Sequence, residues 1–499
     1  MDFGKKVEEF KKYMSKIEYL SYASSVLYWD MRVGIPKKGI PHRGEVLGFL
    51  SGEAYKLSTS DTMKEFIDYF KAQENLDDVT KAMVTNAEKE YNQTKKIPEE
   101  RYKEYTILLS NSEAAWEEAK EKNDFEMFKP YLEKVVNFNK EFIEYWGYEG
   151  NKYNALLDNY EPGITVEKLD RVFGEVRDAI VSLLKKIQAS KVKPDTSIFN
   201  RNFDIKAQDA FGKYVLGKMG YDLEAGRLDE SVHPFTIGFC NKDVRITTHY
   251  YEDDFRSAIF STIHEGGHGL YEQNIADNLA GTGLATGTSM GIHESQSRFY
   301  ENIIGRSKEF WKSFYPETQK RFSNLADVTF DEFYKSINSV TPSLIRTEAD
   351  ELTYSLHIII RYEIEKMLIN DEIKVEELPR VWKEKYKEYI GIEPQNNSEG
   401  VLQDVHWGGG MIGYFPSYAL GNLYGAQFLN KMVQDIPNLY EEISKGNLTP
   451  IGEWLKENIH VYGKTYTPAE IIKRVTGEEL NAKYFIDYLN KKYGEVYEL

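Results

Sequence analysis

Cysteine is almost missing from this 499-residue chain. Cys240 stands alone, so no disulfide can form within it, and a reducing, cytoplasmic setting is the expectation. Any apolar run of membrane-spanning length is missing too, and no signal-type apolar segment follows Met1-Asp2-Phe3-Gly4-Lys5-Lys6. Positive charge is in deficit: 63 Lys and Arg stand against 80 Asp and Glu, a formal net charge of −17. That field argues against nucleic acid and anionic membranes as partners, though not against a local cationic pocket. No internal repeat or low-complexity tract suggests a solenoid or a tail. What remains is an ordinary soluble composition, 41% hydrophobic and 29% charged, long enough for a large core.

Most of the chain has helical period. Val7, Phe10, Met14, Ile17 and Leu20 recur at helix spacing, and the period returns from residue 45 to about 140. Thr165 is set to cap a helix striped by Leu169, Val172, Phe173, Val176, Ile180, Leu183, Leu184 and Ile187. Tyr28-Trp29-Asp30, followed by Gly34-Ile35-Pro36, reads as a break into a loop around an aromatic cluster. Strand character concentrates at residues 235–240 and 244–250, joined by Asn241-Lys242-Asp243, and predicts a hairpin in a small sheet. Residues 191–197, around Pro194, are the best linker candidate, although the composition changes little there. The expectation is a mostly α fold forming a single domain over residues 1–499. Within it, residues 1–195 are a helical wall or lid and 196–499 the catalytic lobe.

The chemistry concentrates in Ile263-His264-Glu265-Gly266-Gly267-His268-Gly269-Leu270. On a helix, His264 and His268 project from one face a turn apart. Two neutral imidazoles at that spacing grip one zinc ion, and Glu265 beside it is placed to take a proton from water there. A solvated helix with two surface histidines is the plain alternative. Gly266 and Gly267 weigh against it, because each costs about 1 kcal/mol relative to alanine in a helix interior. Such a cost has a purpose when another backbone or a substrate must come close. Seven of the nine histidines (His233, His249, His264, His268, His293, His357 and His406) lie between residues 233 and 406, which puts the chemistry in the second half.

Two histidines leave a catalytic zinc one protein ligand short. Glu294, in Gly291-Ile292-His293-Glu294-Ser295-Gln296-Ser297-Arg298, is the candidate third ligand, opening a helical stretch after the Gly/Thr/Ser-rich loop 281–291. Pairing with Arg298 one turn on is its alternative, and His293 is the weaker candidate ligand.

Five segments together resemble the M32 family of zinc metallocarboxypeptidases. They are His233-Pro234-Phe235, Asp243-Val244-Arg245-Ile246-Thr247-Thr248, the His264–His268 stretch with His293–Arg298, Ile345-Arg346-Thr347-Glu348-Ala349-Asp350, and Gly400-Val401-Leu402-Gln403-Asp404-Val405-His406-Trp407. The resemblance implies a large helical zincin-type fold with a deep cleft and a homodimer. It also implies one Zn²⁺ per chain on His264, His268 and Glu294, a site cobalt can also occupy. Glu265 would be the general base, and single residues would leave peptides with a free C-terminus.

An exo-acting enzyme needs a fixed cation for the terminal carboxylate. Arg346 is the first candidate, against a surface arginine or a pair with Asp350; Arg245 is the second, against charge pairing within the sheet. Tyr418, shortly after Gly408-Gly409-Gly410, and His233 are candidate donors to the oxyanion. Gln403, Asp404 and His406 are candidates for the cleft wall or for groups supporting the metal ligands from behind, with His406 the one placed to touch substrate. Arg298 stands four residues after Glu294, where many related zincins carry a carboxylate that orients a zinc histidine, and Glu301 is the substitute to examine. The alternatives are a zincin endo-oligopeptidase and a noncatalytic peptide-binding module; Glu265 speaks against the second, since binding needs no base.

Overall fold

Apolar residues at spacings of three and four set most of the chain into helices. In the computed structural model, which describes residues 3–499, the Val166–Ala189 helix shows how. Thr165 Oγ1 accepts the backbone N–H of Lys168 at 3.3 Å, and the whole predicted stripe from Leu169 to Ile187 is buried. Each such side chain removed from water stabilises by roughly 1.5–3 kcal/mol.

The first helix, Phe3–Val33, departs from expectation. It runs straight through Tyr28-Trp29-Asp30 and ends three residues before Pro36. Aromatic residues do not break a helix, whereas proline restricts chiefly the residue before it. Trp29 lies inside the helix, with the guanidinium groups of Arg227 and Arg245 over its ring at 5.1 and 4.8 Å.

The chain gathers into two units, each assembled from three segments. The first takes the chain up to Lys95, Asp195–Ile337 and Phe428–Gly477; the second takes Lys96–Pro194, Asn338–Gln427 and Glu478–Leu499. Both therefore draw on sequence from either side of residue 195, and one seam falls inside the linker candidate at 191–197.

In the first unit, Phe10, Met14, Phe66, Phe70 and Met83 from the N-terminal helices pack with Leu279 and Leu284 into one apolar cluster. A three-stranded sheet has the order β1 (Gly226–Glu230), β3 (Asp243–Thr248), β2 (Thr236–Cys240). The predicted hairpin is β2–β3, antiparallel with Thr236 opposite Ile246. The strand β1 was not predicted: Gly-Arg-Leu-Asp-Glu is polar, and it joins β3 in parallel, Leu228 beside Ile246. Val244 and Ile246 are fully buried, and β3 packs on the helix Phe255–Gln273 that carries the two candidate zinc histidines. The expected mostly α architecture, with its small sheet beside that helix, is what the chain forms.

In the second unit, the helix Glu351–Ile369 is buried nearly all round, against Val166–Ala189 and Leu378–Tyr389. The closing helix Lys483–Tyr497 is tied to it by a buried ion pair, Lys492 Nζ to Glu351 Oε2 at 2.5 Å.

Candidate active site

The helix Phe255–Gln273 begins at Asp254, whose carboxylate accepts the N–H of Arg256 at 3.0 Å. His264 and His268 leave it on one face with ring centroids 4.9 Å apart. Its glycines answer to packing. A Cβ on Gly267 would stand 2.6 Å from the carbonyl oxygen of Gln296 and 2.8 Å from the Cα of Ser297. The backbone of the next helix, Met290–Arg298, therefore lies directly against Gly267. Gly266 gives the same room to Leu216 and Met219, and Gly269 to Tyr221.

That approach brings Glu294 to the histidines. Its Oε2 is 3.7 Å from His264 Nε2 and 3.4 Å from His268 Nε2, and among the described residues the donor atoms of this trio all lie within 4.8 Å of one another. Glu294 Oε1 accepts from Arg298 Nε at 2.7 Å, so the pairing raised as an alternative is present and orients the carboxylate. Burial opposes ionisation of Glu294, but Arg298, His264 and His268 outweigh it and hold the acid well below the usual carboxylate range. His268 is pushed down to about 3 by burial, assisted by the neighbouring rings of His293 and His264, and is a neutral imidazole. Two neutral-capable imidazoles and one ionised carboxylate, converging, are a donor set suited to a divalent ion such as zinc.

Supporting groups surround the trio. Glu301 Oε2 lies 2.8 Å from His264 Nδ1, and Glu301 sits in a π-helical turn, Phe299–Ile304, directly after the Glu294 helix. Burial opposes its charge, yet Arg298, His264 and Arg306 bring it down to about 2. Glu294, Arg298 and Glu301 thus share one face at spacings of four and three. His293 turns to His268, and Glu272 to His293, at 2.6 and 2.9 Å. Neither contact was read from the sequence, although His264, His268 and Glu272 recur every fourth residue. The Glu265 carboxylate is 6% exposed and raised from its usual range by burial. Thr236 of β2 donates to Glu265 Oε2 at 2.6 Å.

The remaining candidates stand as follows. His233 is exposed, and its carbonyl accepts from Ser231 Oγ at 2.7 Å. Arg245 pairs with Asp243 through Nε and Nη2, both at 2.8 Å, between the rings of Trp29 and Phe239. In the second unit, Arg346, His406 and Tyr418 are brought together. Arg346 donates to Asp404 Oδ1 through Nε and Nη2 at 3.0 and 2.8 Å, while Arg361 pairs with Asp404 Oδ2 at 2.6 Å. Arg346 lies over the Tyr418 ring at 5.2 Å, and Tyr418 Oη is 3.3 Å from His406 Nε2. Asp350, the partner first considered for Arg346, instead caps the helix Glu351–Ile369, accepting from Thr353 N at 2.9 Å. Gly410, at φ 73°, faces Tyr105 and leaves no room for a Cβ; Gly409 faces Glu113.

Comparison with known proteins identifies the family. Residues 9–493 match the family described as carboxypeptidase Taq (M32) metallopeptidase. The chain is 51% identical to carboxypeptidase 1 of Bacillus subtilis, covering 99% of both sequences. It is 40% identical to thermostable carboxypeptidase 1 of Thermus thermophilus, covering 97% of this chain and 98% of that one. The crystal structure of an M32 carboxypeptidase from Deinococcus radiodurans superposes with a TM-score of 0.97 at 34% identity, covering 99% of this chain and 100% of the other.

Proposed function

This chain belongs to the carboxypeptidase Taq (M32) family and is a metallocarboxypeptidase; from that premise we propose that it works with one Zn²⁺ held by His264, His268 and Glu294 and releases single residues from the C-termini of peptides. The observation that carries the reading is the convergence of two imidazole nitrogens and the Glu294 carboxylate beside a buried Glu265. An ion bound there supplies Lewis-acid polarisation of the scissile carbonyl and a more acidic water; Co²⁺ suits the same donors.

Glu265 is the general base. Thr236 occupies its Oε2, which leaves Oε1 to accept the proton of the attacking water and return it to the leaving amine. Burial raises Glu265, the sense required of a group that must give its proton back. Arg346 holds the free carboxylate of the substrate. Arg346 and Arg361 share a single Asp404, so the cluster keeps a net positive charge that favours an anion. Tyr418 or His233 supplies the oxyanion donor, His406 belongs to the wall beside Tyr418, and Arg245 is the alternative clamp. Homodimeric assembly and a cytoplasmic setting complete the reading, the latter supported by the single cysteine.

The test compares kcat/KM on peptides with free and amidated C-termini. Amidation should cost most of the efficiency. Arg346→Ala should lower it steeply on free-ended peptides, by the roughly 2–5 kcal/mol of a desolvated charge pair, and little on amidated ones. Equal losses on both would make Arg346 structural and leave Arg245 to be tried. Cleavage of amidated peptides at internal bonds would favour an endopeptidase.

A further inference from the structure

The outer nitrogens of the two metal-set histidines are held differently. His264 Nδ1 reaches a carboxylate directly, Glu301 Oε2 at 2.8 Å. His268 Nδ1 instead meets a second imidazole, His293 Nδ1 at 2.6 Å, whose Nε2 lies 2.9 Å from Glu272 Oε1. A bond between two ring nitrogens holds one hydrogen, so with Glu272 accepting at the end of the row and one proton on each ring, every N–H has one place. Glu272 takes the N–H of His293 Nε2, so a neutral His293 has a bare Nδ1. That atom takes the N–H of His268 Nδ1. His268 Nε2 then turns its lone pair toward Glu294, 3.4 Å away.

The surroundings are shaped for this row. Glu272 is 9% exposed, and its Oε1 also accepts from Gly287 N at 3.0 Å and Thr286 Oγ1 at 3.2 Å. The loop between the two helices is thereby fastened to the same oxygen that holds His293. A Cβ on Gly287 would stand 2.6 Å from His293 Cδ2 and 2.9 Å from Tyr271 Cε1, so only glycine lets the ring occupy its place. The Tyr271 ring lies 5.0 Å from that of His293.

We propose that Glu272 and His293 are positioning residues, a carboxylate acting through an imidazole to fix the tautomer of His268 and raise its donor strength, so that metal affinity depends on His293 although it is no ligand. The proposal rests on the reading of His264, His268 and Glu294 as the metal-binding set. Its test titrates the apo-protein with Zn²⁺ against a chromophoric chelator and records the visible absorption of Co²⁺-loaded protein. His293→Phe keeps a ring beside Tyr271 but has neither nitrogen. It should weaken Zn²⁺ binding by about 10–100-fold and shift the Co²⁺ bands, with the thermal midpoint of the apo-protein unchanged.

His293→Gln, whose amide can accept or donate, should recover part of the loss. Glu272→Gln should cost less than His293→Phe, because an amide oxygen still accepts. Wild-type affinity in His293→Phe, with His268→Ala losing the ion, would overturn the relay and leave the ligand set intact. Failure of wild-type protein to bind an ion in a His268-dependent way would instead remove the ligand set itself. If His293→Phe does not fold, His293→Gln and Glu272→Gln decide, and wild-type affinity in both overturns the proposal.

Discussion

Glu265→Gln keeps the shape of the side chain and removes the proposed base. Metal content should stay, and turnover should fall by a factor on the order of 10²–10⁴; near-normal turnover with metal bound would remove Glu265 from the role. Thr236→Val tests the hydroxyl that holds that carboxylate at 2.6 Å. A hydrogen bond to a charged group is worth about 1.5–3 kcal/mol, so kcat should drop about tenfold or more with KM little changed, and Thr236→Ser should restore most of it. At this scale spacing along one helix carried much of what was legible, although Glu272, four residues after His268, was missed. His264 and His268 follow from a four-residue interval, whereas Glu301, seven residues after Glu294, was no more than a guess that the 2.8 Å contact to His264 now gives a place. Arg346 is the opposite case: its partner Asp404 lies 58 residues away, and no local period could separate that from the nearby Asp350. Thr236 is similar, reaching Glu265 from a strand 29 residues back.

Helix–helix approach is the element-scale device, and two neighbouring glycines test it. Alanine at Gly267 meets backbone at 2.6 and 2.8 Å, which cannot move alone. Gly267→Ala should destabilise by about 1–3 kcal/mol, as overpacking does, and weaken the metal site along with the fold. Alanine at Gly266 meets the far ends of Leu216 and Met219, which can turn aside, and gains about 1 kcal/mol of helix propensity. Its variant should stay much closer to wild type in thermal unfolding and metal titration. A second element is the glycine-bearing loop at 407–413, anchored on Glu365. That buried carboxylate accepts from Tyr153, from Trp407 Nε1 at 2.7 Å and from Gly413 N at 2.8 Å, yet burial outweighs these donors and raises it to about 7. The folded state thus holds a proton that the unfolded chain releases near pH 4.5. Stability from this group is fullest below that value and is lost as pH rises to about 7. Relative to wild type, Glu365→Gln should gain by as much as about 3 kcal/mol between pH 4.5 and 8 in denaturant titrations; a pH-independent difference would mean that Glu365 is ionised throughout. Element type was readable where residues alternate or stripe, as in β2, β3 and the Thr165-capped helix. The polar β1 was not, because its place comes from a parallel neighbour whose paired residues lie 18 positions further along the chain.

For the molecule as a whole, the formal charge of −17 acts on every approaching peptide. Association with acidic peptides should quicken as salt rises from about 0.01 to 0.15 M, and with basic peptides should slow, each several-fold in kcat/KM. Matching salt profiles for the two would show that the field at the site is set locally. The interleaving of the two units bears on a different matter, the order in which the chain is made. The last segment of the first unit is Phe428–Gly477, and that of the second is Glu478–Leu499. At about 5–20 residues per second, a ribosome needs roughly 25–95 s to reach Gly477, and neither unit has all its parts before then. The nascent chain therefore waits with Phe10, Phe66, Phe70 and their neighbours already synthesised and the later segments of its unit still missing. Slowed translation, or a stop codon late in the gene, would burden chaperones far more here than in a protein whose domains are completed one after another.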